Sequence, residues 1–121
     1  MLKNMQTVFA SAARTATPTA VALDTAHINH LVLVIDCTVD PAAASVVFDV
    51  DFRDPISGKY ITMLASSAIA AVGTTVLQVG PGLVAAANSI SAHPLSSDVR
   101  ITATHADADS ITYSVSAFLY G

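Results

Sequence analysis

The chain has no tryptophan, one cysteine, five lysines and arginines and no long apolar run, and each shortage closes off a class of function. A single cysteine, Cys37, excludes an internal disulfide and a cysteine-rich zinc site. It alternates in phase with Leu31, Leu33 and Ile35, so it reads as a small buried hydrophobe rather than a reactive thiol. The basic residues Lys3, Arg14, Arg53, Lys59 and Arg100 are scattered and the net charge is −4, which leaves no stripe to neutralise phosphates. No nucleic-acid partner is expected. A membrane helix needs about 20 consecutive apolar residues, and the longest strongly apolar run is LVLVI, residues 31–35. No membrane partner is expected either.

What the chain has in excess is apolar surface. Hydrophobic residues make up 53% and charged residues 12%, with a mean hydropathy of +0.60, whereas a typical soluble domain is about 25% charged. A free monomer with so few charges risks association, so the composition points to a homo-oligomer or a component of an assembly. With 121 residues the chain is long enough for one domain with a real core. The opening MLKNMQTVFASAARTATPT has a small-residue patch like that of a signal peptide, but Asn4, Gln6 and Thr7 interrupt any apolar segment, and it reads as mature chain.

Period-two alternation dominates the rest. In SVVFDVDFRD, Val46, Phe48, Val50 and Phe52 fall on one face and Val47, Asp49, Asp51 and Arg53 on the other. In SITYSVSAFL the opposite face is hydroxyl-rich, with Ser110, Thr112, Ser114 and Ser116. HLVLVIDCTV is apolar on both faces and predicts a central strand covered on two sides. KYITMLAS, TTVLQVG and SDVRITATH predict further strands, with shorter ones near TVFASA and TAVAL. Pro55 and Gly58 in RDPISGKY mark a hairpin, while residues 79–98 predict a long crossover between two sheets. The expected fold is all-β, an antiparallel β-sandwich of about seven or eight strands in jelly-roll or immunoglobulin-like order. Residues 1–20 are expected as an N-terminal arm or edge strand and residues 21–121 as the sandwich domain.

No nucleophile elbow, HExxH or phosphate-binding loop is present, so no catalytic residue is assigned, no cofactor is expected and the chain is not read as an enzyme. His27 and His30 stand three apart on an extended segment and point to opposite faces, which argues against one shared ion. Asp49 and Asp51, about 6.5–7 Å apart at Cα on one strand face, read as a solvated pair rather than as a glycosidase dyad, given so few aromatics for a sugar platform. Gly80–Pro81–Gly82 lacks the following lysine of a phosphate cradle and reads as a turn. The run THADADSITYSVS places His105, Asp107 and Asp109 at alternate positions. These three are the candidate ligands for an oxygen-bound cation such as calcium. The preferred reading is a hairpin turn, because aspartate tolerates left-handed backbone and accepts hydrogen bonds from turn amides. No metal is therefore assigned.

Three stretches, DPISGKYITMLAS, LQVGPGLVAAAN and ITATHADADSITYSVSA, together resemble small virion proteins of tailed bacteriophages, over about residues 31 to 119. The resemblance implies a structural protein at the capsid surface, made in the host cytoplasm. It implies a decoration (cement) protein, a β domain that oligomerises, often as a trimer, and clamps the major capsid protein. A tail, connector or head-fibre subunit is the alternative within the same class, and a receptor- or carbohydrate-binding β module the alternative outside it. Residues 1–20 and 80–96 are the expected contact regions, since arms and long loops reach neighbours most easily.

Overall fold

Alternating burial organises the chain into nine strands. The computed structural model, which describes all residues from Met1 to Gly121, contains β1 (Leu2–Arg14), β2 (Val21–Asp24), β3 (His30–Val39), β4 (Val46–Arg53), β5 (Tyr60–Ala65), β6 (Gly73–Val79), β7 (Ile90–Ser91), β8 (Asp98–His105) and β9 (Ile111–Tyr120). In β9 the side chains of Ile111, Tyr113, Val115, Ala117 and Leu119 are buried, and those between them are half exposed. β3 and β8 bury alternate residues in the same way. These inward faces meet in one hydrophobic core.

The strands form a five-stranded sheet in the order β1-β9-β3-β6-β7 and a four-stranded sheet in the order β2-β8-β4-β5. The chain remains in one sheet only at β4–β5 and β6–β7 and crosses to the other sheet at every other connection. Apart from the two-residue β7, this is jelly-roll connectivity, and it decides between the two strand orders expected from sequence. The sandwich is antiparallel except where β7 runs parallel to β6, pairing Gln78 with Ile90 and Val79 with Ser91.

The β4–β5 hairpin is where the sequence placed it. Asp54 accepts hydrogen bonds from the Ile56 N–H (3.0 Å) and the Ser57 hydroxyl (2.7 Å), and Gly58, at φ 75°, donates its N–H to the Asp54 carbonyl. The Asp54 carboxyl is held below its ordinary pKa by those donors, the Ser57 hydroxyl first. Residues 80–97 form the expected crossover, from β6 in one sheet to β8 in the other.

Two expectations need correction. The ADAD turn is not a hairpin: β8 pairs with β2 and β4, and β9 pairs with β1 and β3, so residues 106–110 arch from one sheet to the other. The apolar faces of the two strands oppose each other across the core instead of lying side by side, and alternation alone cannot tell these arrangements apart. β3, expected to be covered on both faces, lies centrally in its sheet but is covered on one face only. Leu31, Leu33, Ile35 and Cys37 are buried, whereas Val32 and Val34 face outward half exposed.

Residues 2–14 are an edge strand, hydrogen-bonded to β9 and contributing Val8 and Phe9 to the core. Register shifts interrupt the β1–β9 ladder, one of them between Phe9 and Ala12. Arg14 fills that bulge. Its guanidinium donates to the carbonyls of Ala10, Ala12 and Tyr113 and lies over the Tyr113 ring, 4.6 Å from the centroid. The fork of donors thus ties the bulged stretch of the edge strand to β9.

Candidate functional site

His105, Asp107 and Asp109 do not converge. The His105 backbone N–H donates to Thr17 Oγ1 (3.0 Å), and its ring turns inward, with Nε2 3.0 Å from the Tyr113 hydroxyl. Asp107 Oδ1 instead accepts the N–H of Asp109 (2.9 Å), so the aspartate serves a turn amide as expected, although the turn is an arch and not the expected hairpin. Both aspartates are exposed, and the three residues do not form a cluster that could hold a metal ion.

The imidazole of His105 belongs to a polar end of the core together with Arg14 and Tyr113. Burial lowers its pKa from 6.5, the nearby Arg14 lowers it further, and Asp107 acts in the opposite direction. Burial also raises the Tyr113 phenol, with Arg14 opposing. A histidine that folds with a lowered pKa binds its proton more readily when unfolded. Its contribution to stability is therefore complete above 6.5 and is lost as pH falls from 6.5 toward the folded-state value. We expect the wild-type urea midpoint to fall on going from about pH 7 to about pH 5, and a His105→Gln variant to lose the histidine component of that fall. Equal slopes for the two proteins would show that His105 is not the responsive group.

The second candidate pair is not solvated in the way its strand phase implied. Asp51 is 4% exposed on the outer face of the four-stranded sheet. Its Oδ1 accepts from Thr62 Oγ1 (3.0 Å) and its Oδ2 from Arg100 Nε (3.3 Å). Arg100 in turn lies over the Tyr60 ring, 3.6 Å from the centroid. One face of the chain's most exposed tyrosine is therefore covered by a cation rather than free to stack on a sugar. Asp49 is half-buried beside this group, and burial followed by repulsion from Asp51 raises its pKa. Arg53 and Asp98 make a looser contact of 3.8 Å on the same sheet. No local pattern announces this network, because its members come from β4, β5 and β8 and meet only through strand register.

The remaining candidates have structural roles. His30 Nε2 lies 3.0 Å from the Pro81 carbonyl and holds the Gly80–Gly82 turn. A Cβ on Gly80 would stand 2.2 Å from the His30 ring, so the turn needs glycine for this close approach. His27 is separate, in a left-handed turn at φ 61°. Cys37 is fully buried, and burial raises its thiol pKa. A groove of about 390 Å³ runs between β5 and the long connection, lined in part by Met63, Ala65, Ala86 and Ile90. Asn88 reaches from the connection to donate to the Ala65 carbonyl at 3.1 Å.

What sets the molecule apart is the contrast between its two outward sheet faces. That of the four-stranded sheet holds Asp49, Asp51, Arg53, Asp98 and Arg100. On the five-stranded sheet, the register aligns Met5 with Phe118, Val32 and Gln78, and Thr7 with Ser116, Val34 and Val76. The next row toward the arch end is Ser114, Asp36 and Thr74. Across these three rows Asp36 is the one charged residue. The chain matches no known protein family and no curated protein sequence.

Proposed function

We propose that this protein is a structural subunit of a virion, a capsid decoration protein that works by surface packing rather than by chemistry. The observation that carries this reading is the nearly uncharged outer face of the five-stranded sheet. Apolar and hydroxyl side chains stand on it half exposed, and burying them against neighbours contributes about 2.5 kcal/mol per 100 Å² of apolar area before association costs. The sequence resemblance to phage virion proteins supplies the setting: the head surface, with the major capsid protein as partner.

The first twenty residues act differently in this reading from a free arm. Because β1 places Val8 and Phe9 in the core, deleting it would remove part of the domain, and contacts come from the sheet face beside β1 instead. The long connection keeps its expected role as a contact region, with Val84 and the Ala85–Ala87 run exposed.

Locating the protein in purified particles and counting its copies tests the proposal. The expected result is a copy number equal to that of the major capsid protein or a simple fraction of it, with density on the head exterior. A few copies at the neck or tail would make it a connector or tail subunit, and absence from the particle would overturn the virion reading.

A further inference from the structure

We propose that the outer face of the five-stranded sheet is a self-association surface, and that its occupant is the same face of a second copy of this chain, related by a two-fold axis. The inference deepens the assembly reading and rests on the same face. It is tested on the isolated chain, so its failure and a failure of the virion reading are separate results.

The face has the chemistry of an interface. Leu2 pairs with Tyr120, which pairs with His30; the Met5 and Thr7 rows follow. Phe118, Val32 and Val34 therefore sit near the middle, with Met5 at 62% and Val76 at 43% exposure on either flank. An aromatic and aliphatic centre bordered by hydroxyls and an amide is the composition of an interface core with its polar rim. No aspartate, lysine or arginine interrupts that centre.

The face is also large enough for a dimer. Four long strands about 4.8 Å apart, read over nine residues of β9 at about 3.4 Å each, present roughly 500 Å² in flat projection. Side-chain relief takes the accessible area above that value, to the lower end of stable interfaces, about 600–800 Å² per partner. Two such faces pack as stacked sheets about 10 Å apart, the spacing already used inside this sandwich fold.

Charge limits where a second copy can dock. Each molecule carries a net charge of −4, so two copies repel when they approach through most of their surface. The five-stranded face is where that repulsion is least. Its single carboxylate, Asp36, lies away from the centre, in the row beyond Val34. A two-fold axis lying in the interface and running across the strands at the centre of the face sends the Asp36 row to the opposite side of that centre, and so does not bring Asp36 onto its own copy. An isologous contact requires this self-compatibility.

Analytical ultracentrifugation of the purified chain, together with two variants whose side chains already point outward, tests the proposal. At about 10 µM the wild type is expected to sediment as a dimer. Val76→Lys and Ser116→Lys are each expected to weaken dimerisation by about a hundredfold or more, because each places an unpaired charge in the contact. Their far-UV circular dichroism should be unchanged. Ile56→Lys, at the 96% exposed tip of the β4–β5 hairpin, should dimerise like the wild type. A monomeric wild type at that concentration overturns the proposal, as does a trimer. So does a dimer that survives both face variants, or one that Ile56→Lys dissociates.

Discussion

Tyr113→Ala is expected to lower the unfolding free energy by about 4 kcal/mol, within the range for removing a buried aromatic ring. The ring is fully buried where the two sheets and β1 meet. Its edge-to-face partners are Phe48, at 5.1 Å and 89°, and Phe9, at 6.3 Å and 88°. Arg14 covers the ring and donates to the Tyr113 carbonyl. Alanine would leave a cavity lined by residues from β1, β4, β8 and β9, and β4, β8 and β9, each fixed by two ladders, cannot close on it. Domains of this kind have about 5–15 kcal/mol in total, so much of the stability would be lost. Tyr113→Phe separates packing from polarity: it keeps the ring and removes only the hydroxyl beside His105, at a cost of about 1–2 kcal/mol. Urea denaturation of the three proteins reads both numbers. If the phenylalanine variant loses as much as the alanine variant, the polar pair and not the ring holds this end of the core.

The strands themselves were legible because alternation is a property of each segment by itself. Ile111 to Leu119 and Val46 to Val50 declare their buried face without reference to any partner, and Asp54, Pro55 and Gly58 declare their turn. Pairing is not a local property. Nothing in VRITATHADADSITYSV distinguishes a hairpin from an arch, since both bury Ile101 and Tyr113; only the neighbours of β8 and β9 decide it. The same limit hid the outer face. Val32 and Val34 read as covered because they are apolar, yet their register neighbours Phe118, Ser116 and Val76 are as uncovered as they are. The polar network was the least legible part. Asp51 looked solvated from its strand phase, and its burial depends on Arg100, 49 residues away in sequence.

That network gives the other large expected effect. Arg100→Met removes the cation beside a carboxylate that is almost wholly out of water and leaves Asp51 with the Thr62 hydroxyl as its remaining side-chain donor. Breaking a buried pair from one side costs about 3–5 kcal/mol. Because the Arg100 side chain is 32% exposed, water screens the pair and the expected loss lies at the lower end, about 3 kcal/mol. Asp51→Asn should cost less, about 1 kcal/mol, because the freed guanidinium reaches solvent and keeps its stack on Tyr60. Joining Arg100→Met with Asp51→Val replaces both charges with apolar groups, and the double variant should be more stable than Arg100→Met alone. The pH dependence gives an independent reading. Asp49 already holds its proton more tightly in the folded chain than its ordinary value, through burial and repulsion from Asp51, so its ionisation opposes folding. With Arg100 gone, Asp51 repels Asp49 with no cation beside it, which strengthens that opposition, so the deficit of Arg100→Met relative to wild type should shrink as pH falls from neutral into the acid range where Asp49 takes up its proton. A deficit that stays constant over that range would mean that the lost contribution is the packing of Arg100 on Tyr60 and not the neutralisation of Asp51.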